Sequence, residues 1–271
     1  MRKILLSLIT LSILFSCEGP QGDGGSPGEK GDQGDPGNTL RFYLQRGGGS
    51  LTYSGYSDAY ISATSPASNF NTEDSLVWSQ DNRLLIRFDN MLSPIRTASG
   101  VDANDFTVNE AILYLYTELD APAEISAYTM STETAYNFST LSWNKPSDNA
   151  EWETIGAAGA IADTLLIGYK RTPGALADII ALYLNPDVVE EWIDNNSDNN
   201  GMLLTLNGAE GFVLSGDYVD LENLLYLRPM LFLDLQRTNT RMAAPQTSYP
   251  DWKLNDEAHA FEVWENAPFN R

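Results

Sequence analysis

The chain has 271 residues, and its 37 aspartates and glutamates outnumber its 16 lysines and arginines, which gives a formal net charge of −21. This charge argues against nucleic acids and other polyanions as partners, because recognising them requires a basic surface. The hydrophobic fraction of 42% is ordinary for a folded domain, and a single cysteine excludes an intramolecular disulfide.

The first residues have the layout of a secretory signal. Arg2 and Lys3 form a charged start, and an almost uninterrupted apolar run extends from Ile4 to Phe15. The run is too short for a transmembrane helix, which needs about 20 apolar residues. We therefore expect residues 1–16 to be removed as a signal peptide.

Cys17, the only cysteine of the chain, follows this run directly after Ser16. The pair resembles the lipobox of bacterial lipoproteins. The resemblance implies cleavage before Cys17 and acylation of that cysteine with fatty acids such as palmitate. We therefore expect a lipoprotein signal peptide and a mature chain anchored in the bacterial cell envelope, at the outer membrane and exposed at the cell surface. A plain signal peptide with an unpaired thiol at Cys17 is the alternative.

Residues 17–39 form a segment with glycine at every third position. The period is the Gly-X-Y repeat of collagen, in which only glycine fits the axis shared by three chains. Because prolines are few, we expect an extended tether, which in a polyproline II conformation would span on the order of 65 Å. A homotrimer through this collagen-like segment is the alternative. The registered glycines are Gly19, Gly22, Gly25, Gly28, Gly31, Gly34 and Gly37.

Residues 40–235 alternate short apolar segments with turns rich in glycine, asparagine and proline. This pattern is typical of an antiparallel sandwich or barrel. One helix is predicted where Asn185 can act as the cap, Pro186 takes the first helical position, and Val189 and Trp192 share an apolar face. We therefore expect an all-β domain with one short helix. The predicted strands include Leu76 to Trp78, Leu84 to Asp89, Val108 to Thr117, Glu124 to Thr129, Leu165 to Tyr169, Asp178 to Leu184, Met202 to Leu206 and Met230 to Leu235.

Six segments form an ordered set: Asp58 to Ile61, Leu85 to Asp89, Ala111 to Tyr116, Leu141 to Pro146, Trp192 followed by Asn200 to Leu204, and Arg228 to Leu233. They occur in the order found in the DNRLRE-domain proteins, and the chain resembles that family from Ser57 to Leu235. The resemblance implies a β-jelly-roll fold and a carbohydrate-binding module. The chain departs from the family by an insertion at Ser93 to Asn104 and an extended stretch at Ile155 to Pro173. Residues 236–271 are a C-terminal extension without a counterpart, which either packs on the domain or is a mobile recognition segment.

Aromatic side chains are candidates for binding a sugar, because flat rings stack against its C–H faces. Tyr56, Trp78, Trp152 and Trp252 lie in or near predicted loops and are the candidate carbohydrate-binding residues. The alternative for each ring is a place in the core, with its polar tip hydrogen-bonded. The negative charge of the chain favours neutral glycans over acidic ones, unless calcium bridges the ligand to the protein.

A polar run from Asp194 to Asn200 contains oxygen ligands of the kind that Ca²⁺ prefers. It is not an EF-hand, because Asn199 stands where that loop requires glycine. A structural calcium is therefore the one cofactor that the sequence suggests, with Asp58, Asp194 and Asp198 as candidate ligands. A solvated turn without a metal is the alternative.

The sequence contains no recognisable pattern of catalytic residues. His259 is the only histidine, it lies in the C-terminal extension, and no nucleophile motif accompanies it. We therefore expect no enzyme, but an envelope-anchored, non-catalytic carbohydrate-binding lipoprotein with a polysaccharide as its partner. The alternative is a structural or adhesive surface lipoprotein that acts through protein–protein contacts or through trimerisation of the collagen-like segment.

Overall fold

The computed structural model describes residues 39–49, 53–130, 136–219 and 227–238, together with 259–260 and 263 near the C-terminus. All of them belong to the second of the two compact units into which the chain divides, Gly37–Arg271. Cys17, the collagen-like glycines and Trp252 lie outside the described residues. What the sequence suggests about them stays a prediction.

The described residues include twelve strands, two α-helices and two short 3₁₀ helices, so the prediction of an all-β domain is confirmed, whereas the prediction of a single short helix is incomplete. The strands are β1 (Thr39–Gln45), β2 (Gly48–Gly49), β3 (Tyr56–Ser62), β4 (Ser75–Trp78), β5 (Asn82–Phe88), β6 (Phe106–Leu119), β7 (Ala123–Thr129), β8 (Leu166–Thr172), β9 (Leu176–Leu184), β10 (Met202–Asn207), β11 (Gly211–Leu214) and β12 (Met230–Arg237). The helices are α1 (Leu92–Ser99) and α2 (Pro186–Asp194), and the 3₁₀ helices are Ile155–Ala160 and Asp163–Leu165.

The strands pair antiparallel in one curled sheet. One series of neighbours runs β1–β12–β6–β9, and a second runs β3–β5–β10–β7–β8. A single pair, Gly168 with Leu184, joins β8 to β9 and so connects the two series. The short strand β11 pairs with β4 and with the end of the long strand β6. The sheet therefore encloses a space between its two series.

Alternate side chains of both series meet in that space as one hydrophobic core. In β6, Ala111, Leu113 and Leu115 point into the core, whereas Ile112 and Tyr114 belong to a separate cluster on the other face. This is the period of two that a β-strand imposes on its side chains. Burying a large aliphatic side chain contributes roughly 1.5–3 kcal/mol. Core side chains from the other strands include Leu44, Leu84, Ile86, Leu182, Leu204 and Leu233.

The helix α2 is found where the sequence predicts it. The side chain of Asn185 accepts a hydrogen bond of 3.0 Å from the backbone N–H of Asp187, and Pro186 occupies the first turn. Val189 and Trp192 are buried in the core. No helix in the part of the chain that the structure describes combines the length and the apolar character needed to span a membrane.

The outer faces of the sheet are also covered. Between residues 136 and 160, side chains such as Leu141 and Trp152 pack over Leu85 and Leu203 of the second series. On the first series, Ala260 and Val263 pack against a cluster that contains Tyr43, Tyr114 and Phe232. The Tyr114 hydroxyl donates a hydrogen bond of 2.8 Å to the Ala260 carbonyl. The described part of the C-terminal extension thus packs on the domain.

Candidate functional site

An open cleft with a volume of about 620 Å³ lies between the start of β3, the end of β5 and helix α1. We call it the α1 cleft. Large concave sites are the usual places for ligand binding. Residues that line it are Tyr53, Ser54, Gly55, Ser57, Asp89, Asn90, Ser93, Pro94 and Thr97.

The first wall of the α1 cleft is fastened to the end of β5. The hydroxyl of Tyr53 donates a hydrogen bond of 2.6 Å to the carbonyl of Asp89, and the Asp89 N–H donates one of 2.8 Å to the carbonyl of Gly55. A Cβ atom at position 55 would lie 2.0 Å from the Asp89 carbonyl oxygen. Only glycine therefore allows the two segments to approach this closely.

The carboxylate of Asp89 is held by Arg87. The Nε of Arg87 donates a hydrogen bond of 2.7 Å to Oδ2 of Asp89. The same guanidinium lies 5.5 Å from the ring centre of Tyr136 and 5.3 Å from that of Phe138. Burial raises the pKa of the Asp89 carboxyl, and the Arg87 charge lowers it in part. Ser57 lies opposite Arg87 in the β3–β5 pair, so the side chains of Ser57 and Arg87 are on the same face of the sheet.

The second wall is helix α1, which the sequence analysis recognised only as an insertion at Ser93 to Asn104. The helix spans Leu92–Ser99 and buries Ile95 beneath it. Pro94 in its first turn and Gly100 directly after it are the sequence signals that could have identified a helix here. The insertion therefore builds a side of the cleft.

The polar run from Asp194 to Asn200 is hydrogen-bonded to the backbone at the end of β5, next to the cleft. Asn196 accepts a hydrogen bond of 2.6 Å from the N–H of Asn90 through its side-chain oxygen. The side-chain amide of Asn199 donates a bond of 2.6 Å to the carbonyl of Phe88 and accepts one of 2.9 Å from the N–H of Gly201. The run thus holds the backbone at the end of β5.

The structure corrects the predicted stacking surface. Tyr56 is 3% exposed, Trp78 is fully buried, and Trp152 is 7% exposed. A ring covered on both faces cannot stack against a sugar from solution, so these three rings belong to the core. The indole N–H of Trp152 donates to the carbonyl of Ser142 at 2.9 Å, which is the core arrangement that the sequence left open.

The three candidate calcium ligands are engaged in separate hydrogen bonds. Asp58 is buried, and its Oδ2 accepts 2.7 Å hydrogen bonds from the Tyr56 hydroxyl and the Gly216 N–H. Asp194 accepts from the N–H of Asn104, and Asp198 accepts from the side-chain amide of Asn195. In the described residues, no group of three or more histidines, cysteines, aspartates and glutamates is placed to hold a metal ion. Calcium binding stays a prediction.

His259 lies against β6 in the structure. Its Nε2 is 2.9 Å from Oε2 of Glu110. Burial raises the pKa of Glu110, and the hydrogen bond to His259 lowers it in part. This pair fastens the C-terminal extension to the outer face of the sheet, outside the lining of the α1 cleft.

Comparisons with protein-family models and with curated proteins found no match for this chain. The resemblance to the DNRLRE-domain proteins therefore rests on the six segments of the sequence alone.

Proposed function

We propose that the chain is an envelope-anchored, non-catalytic carbohydrate-binding lipoprotein and that it binds its glycan in the α1 cleft. The observation that carries this proposal is the chemistry of the lining. Ser54, Ser93 and Thr97 supply hydroxyls, Asn90 an amide and Asp89 a carboxylate. Groups of this kind exchange hydrogen bonds with sugar hydroxyls, because each can accept and most can also donate.

The order of strand pairing supports a β-jelly-roll form of the domain. Eight strands form two series of neighbours, β1–β12–β6–β9 and β5–β10–β7–β8. In chain order, successive members of these eight belong alternately to the two series, except that β7 and β8 both belong to the second. Two four-stranded series connected in this manner are the arrangement of a double-sheet jelly roll. The edge strand β3 extends the second series by one.

The lining also supports binding without hydrolysis. Glycoside hydrolysis usually requires two carboxyl groups that flank the scissile bond. Among the described residues that line the α1 cleft, Asp89 alone carries a carboxylate. That carboxylate is also engaged in an ion pair with Arg87, whose Nε lies 2.7 Å from its Oδ2.

Affinity electrophoresis of the detergent-solubilised full-length chain through gels that contain neutral polysaccharides tests the proposal. A Ser93→Trp variant fills the cleft from an exposed position of α1, and Ser68→Trp places the same ring at an exposed serine outside the lining. We expect one polysaccharide to retard the wild type and Ser68→Trp but not Ser93→Trp.

Absence of retardation in every gel would favour the structural or adhesive alternative. One observation favours that alternative: Val77, which pairs with Phe212 between β4 and β11, is a large hydrophobic side chain that is 42% exposed and available for a protein contact. A trimeric mass of the full-length chain, or loss of self-association in a Val77→Asp variant, would then support protein–protein contacts.

A further inference from the structure

The charge of the α1 cleft is carried by one residue. Within the described part of the chain, Asp89 is the only aspartate, glutamate, lysine, arginine or histidine in the lining. Its side chain is 22% exposed, so the carboxylate is reachable from the cleft although it is paired. A ligand in the cleft therefore meets a negative group.

The nearest cation that the structure describes, Arg87, is already engaged and is not offered to a ligand. The Nε of Arg87 donates a hydrogen bond of 2.7 Å to Oδ2 of Asp89, and its guanidinium lies over the rings of Tyr136 and Phe138. Arg87 is outside the lining of the cleft. An anionic ligand would find no free guanidinium or ammonium group among the lining residues that the structure describes.

An ionised carboxylate is a pure hydrogen-bond acceptor. It suits the hydroxyls of a neutral sugar, which can donate to it in charge-assisted bonds. A uronate places its own carboxylate where a hydroxymethyl group would stand, and an ionised carboxylate cannot donate. Like charges brought together at a binding interface reduce affinity strongly, and the net charge of −21 adds long-range repulsion.

We propose that Asp89 is a specificity-determining residue that makes the α1 cleft bind uncharged glycans and reject uronate-containing ones. This inference rests on the proposed carbohydrate binding and adds to it the class of glycan that the cleft accepts. It assigns the discrimination to one side chain rather than to the charge of the whole chain.

The test compares neutral polysaccharides with alginate and polygalacturonate in affinity gels, with the full-length chain and a chelator present so that calcium cannot bridge acidic groups. Asp89→Asn preserves the shape of the side chain, removes its charge and releases Arg87. We expect the wild type to be retarded by a neutral polysaccharide only, and Asp89→Asn to gain affinity for the uronates by at least about tenfold.

Asp148→Asn is the matched control, because Asp148 is also ion-paired, with Lys145 at 2.8 Å, but lies outside the cleft. An equal gain in both variants would assign the effect to overall charge and overturn the inference. If Asp89→Asn does not fold, Ser54→Lys adds a cation at an exposed lining position, with Ser68→Lys as its control.

The outcomes separate the two proposals. Wild-type binding of uronates as tight as that of neutral glycans overturns the specificity role of Asp89 and leaves carbohydrate binding standing. Rejection of uronates by the wild type, Asp89→Asn and Ser54→Lys alike overturns the role of Asp89 as well. A wild type that binds no polysaccharide at all contradicts the proposed function and, with it, the inference.

Discussion

The hydroxyl of Tyr56 donates a hydrogen bond of 2.7 Å to Oδ2 of Asp58, two residues along β3 and inside the domain. The same oxygen accepts 2.7 Å from the N–H of Gly216, in the loop that follows β11. Two residues that the sequence suggested for ligand binding thus connect a strand to a distant loop. Their role in the structure is to hold the fold together.

The stability of the domain should depend on the protonation of Asp58. Burial raises its pKa from the ordinary value of 3.8 to about 6, against the lowering by its two hydrogen bonds. Because the folded pKa is above the unfolded one, the charged form costs stability at neutral pH, up to about 3 kcal/mol. That cost disappears as the pH falls from about 6 to about 4.

Urea denaturation of the wild type and Asp58→Asn at several pH values checks this expectation. Asparagine can still accept both hydrogen bonds but does not titrate. The difference in unfolding free energy between the two proteins should move in favour of the wild type as the pH is lowered through this window. A difference in unfolding free energy between the two proteins that stays constant from pH 7 to pH 4 would show that Asp58 does not titrate in this range.

Gly216→Ala should destabilise the domain. A Cβ atom at this position would lie 2.4 Å from Cε1 of Tyr56, and that ring cannot move without breaking its bond to Asp58. Overpacking of this kind typically costs 1–3 kcal/mol, so we expect a loss of about 2 kcal/mol in the free energy of unfolding. Gly174→Ala is the control, because a Cβ there meets nothing within 4 Å. Equal stabilities of the two variants would contradict the packing seen at Gly216.

Tyr114→Phe should loosen the C-terminal extension. The substitution removes the hydroxyl that donates to the carbonyl of Ala260 and should lower the unfolding free energy by about 1 kcal/mol. Limited proteolysis should then cleave the extension sooner than in the wild type. Tyr116→Phe makes the same change two residues further along β6, where the hydroxyl is 3.5 Å from Glu118, and should have little effect. Unchanged cleavage in Tyr114→Phe would mean that this contact does not hold the extension.

Cys17→Ser should release the protein from the membrane. If Cys17 carries the lipid, the variant loses the acyl chains and moves to the soluble fraction, because a hydroxyl is not acylated in its place. Metabolic labelling with palmitate followed by fractionation measures both effects. A Cys17→Ser protein that stays labelled and sediments with membranes would refute lipidation at this residue.

Much of the sheet could be predicted from the sequence, because apolar alternation and turn residues report local structure. The segment Leu84 to Asp89 matches β5 closely, and the Asn185–Pro186 pair marks the start of α2. The site could not be predicted in the same way. Trp78 stands beside a turn in the sequence, but the pairing of β4 with β11 places it inside the domain with no exposed surface. Periodicity does not show which distant strand covers a ring.

The covering of the outer face was equally hidden from the sequence. Trp152 lies in a segment without regular structure, which would normally be exposed, yet it packs on the face that carries Leu85 and Leu203. The α1 cleft arises where an insertion meets the ends of two strands, and its lining residues are common polar types that carry no motif. Only the three-dimensional arrangement distinguishes them from an ordinary loop.

Helix α1 takes no part in the strand pairing, and Ile95 is its only side chain buried in the core. Three lining residues of the cleft, Ser93, Pro94 and Thr97, thus come from a helix that takes no part in the sheet, whereas Tyr53 and Asp89 also hold the fold together. Changes in the length or composition of this insertion would reshape one wall of the cleft while the sheet persists. That wall is in this sense an exchangeable segment on a fixed framework.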